Sequence, residues 1–211
     1  MNIKQKLSFI LLLLSSVVAF GQSNWNHLSI ESGYGYAFPS RFYSNANKTG
    51  NFSLSQHFDI GMRYMFDNKF GVKLSYANLN FVKNNVGLVY NTISVDAVYN
   101  VGSLFDLSYI TYERIGLLGH AGVGLTLAKP TSIDGSEKIG TATIGLTPQL
   151  RISDRISLYG DASYALRFKQ NYGFNGVLLD ANYESQTAKT LVFSAGVIFY
   201  IGENKRHVDW Y

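Results

Sequence analysis

The chain has 211 residues, no cysteine, 46% hydrophobic and 15% aromatic residues, and a formal charge of +4. Without cysteine it has neither disulfides nor thiolate metal sites, so an exported fold must be held by strand pairing and packing alone. The charge bias is too weak to imply a nucleic-acid partner, and a mean hydropathy of +0.01 excludes a bundle of apolar transmembrane helices.

Residues 1–21 read as a secretory signal peptide. Lys4 and Lys6 precede an apolar run from Leu7 to Ala19, and Ala19-Phe20-Gly21 offers small residues before a cut at Gln22. Removing the two leader lysines from the 18 Lys and Arg leaves 16 against 14 Asp and Glu, a formal charge of +2. No cysteine follows the cut, which excludes a lipoprotein anchor. Residues 22–202 are expected to form one domain, with 203–211 as a periplasmic tail.

From residue 28 onward the sequence alternates with a period of two, and eight candidate strands follow one another. The first sets Leu28, Ile30, Tyr34, Tyr36 and Phe38 against Ser29, Glu31, Gly33 and Gly35. In the second, Phe58, Ile60, Met62, Tyr64 and Phe66 alternate with His57, Asp59, Gly61 and Arg63. A tight turn at Asp67–Lys69 leads to the third, with Phe70, Val72, Leu74 and Tyr76 opposite Gly71, Lys73 and Ser75. The fourth carries Ile93, Val95, Ala97 and Tyr99 against Ser94, Asp96 and Asn100. After the longer "GSLFDLSYITYER" come the fifth strand, around Leu117, Ala121, Val123 and Leu125, and the sixth, around Ile144, Leu146 and Leu150. In the sixth, Arg151 lies on the polar face, and Pro148, lacking an N–H, predicts a bulge or bend. A turn at Ser153–Arg155 precedes the seventh, where Leu158, Leu166 and Phe168 oppose Asp161 and Arg167. The eighth closes with Leu191, Phe193, Val197, Phe199 and Ile201.

The connections after strands one, five and seven are long and polar, whereas two of the three opposite connections are tight turns, the arrangement of bacterial outer-membrane barrels. None of the apolar-face residues named above carries a charge. Eight strands enclose a lumen too narrow for so many bulky side chains, so the apolar face must look outward and the small and charged face inward. The predicted fold is therefore all-β, an eight-stranded antiparallel up-and-down transmembrane barrel. Closure removes the unpaired edges that hydrocarbon does not tolerate. Tyr36, Phe38, Phe58, Tyr76, Phe168 and Phe193 are expected near the outer rim, and Tyr64, Phe66, Phe70, Tyr99 and Phe199 near the periplasmic rim, as two aromatic girdles.

Several stretches resemble the OmpA-type eight-stranded barrel family: "YNVGSLF" with "RIGLLGHAGVGL", "IGLTPQLRISDRISLYGDASY", and "GVIFYIGENKRHVDW". The resemblance implies the same barrel. It also makes "ENKRHVDW" the periplasmic exit that leads, in longer relatives, to a peptidoglycan-binding domain. The sequence ends at Tyr211, so that contact is not carried over.

Inside so narrow a barrel, charges must be paired or hydrated. The turn at Asn68 sets Arg63 beside Lys73, and like charges so placed need carboxylates between them. Glu31 and Asp96 are expected to flank the pair, with Asp59 above and Arg151, Asp161 and Arg167 completing the lumen charge network. The expected role is structural, in envelope integrity or partner docking, with this network as a plug. A narrow ion or small-solute pore is the first alternative, and a lipid-modifying enzyme the second.

No catalytic residue, metal or cofactor is expected. His57 and His120 point inward from different strands, while His27 and His207 lie at the periplasmic ends. Expected partners are outer-membrane lipid, including lipopolysaccharide, and envelope proteins reached through the outer loops or the periplasmic tail. Val177, Leu178 and Leu179 would make an apolar knob in the last loop, and Asn47 and Asn51 read as polar loop residues.

Overall fold

The structure, a computed structural model, describes residues 26–39, 55–83, 86–131, 133–174, 176 and 186–210. The leader, Asn47, Asn51 and the Val177–Leu179 knob lie outside them. Eight strands form one closed barrel in chain order, every neighbour antiparallel: β1 (Leu28–Pro39), β2 (Ser55–Met65), β3 (Phe70–Lys83), β4 (Val86–Asn100), β5 (Ile115–Pro130), β6 (Glu137–Arg151), β7 (Ile156–Gln170) and β8 (Gln186–Ile201). Among the described residues no helix is long and apolar enough to cross a membrane. The crossing is made by strands.

Alternation decides which side chain goes where. On β2, Phe58 and Met62 are 42% and 49% exposed on the outer wall, while Arg63 is 1% exposed within. The same division holds around the barrel, with Ile30, Leu74, Val95, Ile144, Leu158 and Phe199 exposed and Glu31, Asp96, Thr141 and Ser157 buried. An exposed wall of aliphatic and aromatic side chains around a polar interior is stable only against acyl chains. Fold and wall together make this an outer-membrane barrel.

The periplasmic turn after β2 is fixed by Asp67, whose Oδ1 accepts the backbone N–H groups of Lys69 and Phe70, both at 2.7 Å. Those two N–H groups hold its carboxyl below the usual value. The turn sets the register that places Arg63 opposite Lys73, and Lys73 in turn opposite Asp96.

Between β4 and β5 the chain makes a 3-10 turn (Val101–Phe105) and a short helix, α1 (Leu107–Ile110), which lie at the periplasmic rim. At the other rim the strands run further than their apolar periodicity indicates. β3 continues to Lys83, so Tyr76 falls midway along it and not near its outer end. The β5–β6 connection shrinks to the residues between Pro130 and Glu137.

Pro148 produces no bulge. The β6–β7 register is the same at Leu146↔Ala162 and Gln149↔Tyr159, and only the pairs between them drop out. Pro148 stays in register with Leu117 on its other side, so a proline is accommodated by omitting ladder bonds on one edge. The irregularity falls instead between Arg167 and Gln170, where Lys169 takes a φ of 57°. The extra residue lets both Arg167 and Gln170 turn inward, and both are buried.

Candidate functional site

The lumen is filled in three layers, each drawn from several strands. At the periplasmic end Arg63 of β2 is clamped between two carboxylates: its Nε donates to Glu31 Oε1 at 2.6 Å, and its Nη1 and Nη2 donate to the two oxygens of Asp209 at 2.7 and 2.8 Å. Lys73 Nζ reaches the other Glu31 oxygen at 2.9 Å. Two cations thus meet two carboxylates, which offsets the repulsion built into the Arg63–Lys73 pair. Burial pushes the Asp209 carboxyl up, but Arg63 and His207 beside it outweigh burial and hold it well below the usual carboxylate range.

The middle layer surrounds a cavity of about 100 Å³ lined by Asp59, Lys73, Asp96, His120, Tyr159 and Asp161 among others, large enough for ordered water. Asp59 accepts from the Tyr159 hydroxyl at 3.0 Å and lies 3.1 Å from His57 Nε2. Asp96 accepts from Thr143 at 2.8 Å and Ser94 at 3.0 Å. His120 bridges two carboxylates, with Nε2 3.0 Å from Asp161 and Nδ1 3.8 Å from Asp96. The inward glycines make room for these groups. A Cβ on Gly33 would collide with the Tyr159 hydroxyl, and one on Gly145 with His120 Nε2.

The outer layer is apolar. Leu79 and Phe81 of β3, Leu88 and Tyr90 of β4, Ile139 of β6 and Phe174 of the last loop pack together across the lumen. Phe81 and Phe174 ring centroids are 4.7 Å apart. Beneath them Arg167 donates to Thr190 at 2.8 Å and lies 4.5 Å from the Tyr90 ring centroid, a cation–π contact.

Of the eight expected network residues, Glu31 bonds both Arg63 and Lys73, and Asp59, Asp96, Asp161 and Arg167 line the cavity above them. One lies elsewhere. Arg151 is at the periplasmic rim, bonded to Glu113 and Asp154, both at 2.6 Å, because β6 ends there. Arg167 lines that same cavity beneath the apolar layer, but its described partners are Thr190 and the Tyr90 ring and not a carboxylate. Nor does Asp96 flank Arg63 and Lys73 by an ion pair; its partners are Ser94, Thr143 and His120. The girdle residues Tyr36, Phe38, Phe58, Phe66, Phe70, Tyr76, Phe168, Phe193 and Phe199 are exposed on the outer wall, and Tyr64 and Tyr99 are half-buried there.

Two parts were missed by sequence reasoning. Strand parity carried to residue 81 would have turned Leu79 and Phe81 inward, but an apolar inward face contradicts the rule that marks the lumen as polar. Asp209 lies beyond the last strand, where periodicity carries no signal, and the OmpA-type resemblance makes the tail an exit from the barrel.

His120, Ser163 and the two aspartates invite a test for nucleophilic chemistry. Ser163 Oγ is 3.3 Å from His120 Nε2, yet it donates its proton to Asp161, which also occupies that same imidazole edge. A hydroxyl that donates to a carboxylate is not held by that imidazole as a nucleophile is.

No known protein family matches the sequence, and no curated protein is recognisably similar to it. The structure has relatives in shape. It superposes on Neisserial surface protein A with a TM-score of 0.56 and 12% identity, over 85% of this chain and 98% of the other. For OprG from Pseudomonas aeruginosa the TM-score is 0.51 and the identity 10%, over 85% and 97%. For a major outer membrane protein from Thermus thermophilus they are 0.51 and 12%, over 83% and 99%. At such identities the likeness is one of fold, and the fold is that of small outer-membrane β-barrels.

Proposed function

We propose that this protein is a non-conducting, non-enzymatic barrel of the OmpA-like type, whose role is structural: it contributes to envelope integrity or docks other envelope proteins from a fixed position in the outer membrane. The observation that carries this reading is the filling of the lumen at three successive levels. Ions at the periplasmic mouth, a hydrogen-bonded network around a small cavity and an aromatic layer at the outer end lie in series, so a solute would have to break each in turn. Its outer wall is proposed to contact lipid, including lipopolysaccharide, and envelope proteins to meet its outer loops or its periplasmic rim.

Planar-bilayer recording tests the reading. The intact protein is expected to give no steady conductance above the bare membrane in molar salt. Large, long-lived openings would replace the structural role by that of a narrow pore. Copurification from native membranes addresses docking, with a stoichiometric envelope protein as the expected outcome.

A further inference from the structure

The segment after β8 turns back into the barrel. The N–H of Asn26, just before β1, donates to the Arg206 carbonyl at 2.9 Å, and the N–H of Val208 donates to the Asn26 carbonyl at 3.0 Å. Beyond this clip four consecutive residues, His207 to Trp210, are buried, although the residues leading to them are mostly exposed.

Each of the four has its own seat. His207 stacks on Tyr200 of β8 with centroids 4.3 Å apart. Val208 packs with Met65, Val98 and Leu118. Asp209 takes the fork of Arg63. Trp210 lies over Gly116 of β5, where a Cβ would come within 3.2 Å of its ring, and meets Tyr200 edge-on. Side chains of the barrel and of α1 also read the backbone: Asn100 Nδ2 donates to the Asp209 carbonyl at 3.1 Å, and Ser108 Oγ to the Trp210 carbonyl at 2.7 Å.

A carboxylate held bidentately, an aromatic anchor over a glycine and carbonyls bonded by side chains are the means by which a receptor holds a short peptide. Charge gives the same answer. Among the four groups these ion pairs join, Arg63 and Lys73 balance Glu31 and Asp209, and without Asp209 the two cations share Glu31 alone.

We propose that the periplasmic mouth is a peptide-binding site selective for a carboxylate residue followed by an aromatic one, filled in cis by His207–Trp210 as a displaceable plug. The inference goes beyond the structural role and concerns one end only, so it stands whether or not the barrel conducts.

The absence of cysteine from the sequence makes the test clean. Ser29 is fully buried on the inner face of β1, in register with Arg63 and Tyr200. A Ser29→Cys reporter in the full chain, in detergent micelles, is expected to react slowly with a bulky polar maleimide. Deleting residues 207–211 should speed labelling by about tenfold or more, as when a protecting closure is removed. Synthetic RHVDWY peptide added in trans should restore protection, and the same peptide with Asn in place of Asp should not. A full-length Trp210→Ala variant carrying the reporter covers the case in which the deleted chain does not fold. It should label faster than the parent, and the free peptide should slow it again. Labelling unchanged by deletion and by Trp210→Ala, or fast labelling that the peptide does not slow in a barrel still folded by its heat-modifiable mobility, would overturn the proposal.

Discussion

Arg63 is buried and makes three bonds to two carboxylates, so its partners matter more than its own presence. Breaking a buried pair strands a charge, and for Asp209→Asn the expected loss is about 3 kcal/mol, at the low end of such changes because Glu31 remains. The urea midpoint of unfolding in micelles measures it. The acid dependence has a definite sign. Asp209 faces Arg63 from β2, Tyr200 from β8 and His207 in its own segment, with Glu31 beyond Arg63, and its carboxyl lies below its ordinary value of 3.8. A depressed carboxyl contributes stability that is present above the unfolded value and lost as pH falls toward the folded one. Protection of the mouth should therefore stay level from about pH 8 to 5 and decline below about pH 4, and Asp209→Asn should be poorly protected already at neutral pH. At this scale the sequence was half legible. Glu31, Arg63 and Lys73 were placed by parity and one turn, whereas Asp209 needed a fold-back that no period announces.

Among the elements, the strands show how far alternation reaches and where it stops. The outward positions of β3 and β4 carry Leu74 and Val95 opposite each other, both exposed on the wall. A lysine or arginine at Leu74 would sit in hydrocarbon, with an expected cost of roughly 2–4 kcal/mol if the site is near the midplane. The same change at Ser75, on the inner face, should block assembly by crowding and not by lipid contact, and folding yields into vesicles distinguish the two. The faces were legible because uncharged outward positions recur through all eight strands. Strand ends were not, because beyond the hydrocarbon layer the outward face no longer needs to be apolar. Pro148 and the Arg167–Gln170 bulge make the complementary point. A proline tolerates an edge without shifting register, while an unmarked Lys169 takes the left-handed conformation and shifts it.

For the whole molecule, two seals of opposite chemistry lie in series: an ionic and peptide-like one at the periplasmic mouth, and the Phe81–Tyr90–Phe174 layer at the other end. Removing either alone is expected to leave the barrel electrically silent. Deleting residues 207–211 together with Phe81→Ala and Phe174→Ala should give small, steady openings in planar bilayers, limited by the charged middle layer. Openings from either single lesion would mean that the remaining seal does not hold. The clip at Asn26 has a separate consequence for the chain as a path. Because Asn26 and Arg206 are hydrogen-bonded at one rim, a short covalent linker between these flanks would make the barrel an endless ring. New termini could then be cut in an outer loop, and the permuted protein would have to reach the same closed sheet by a different order of synthesis.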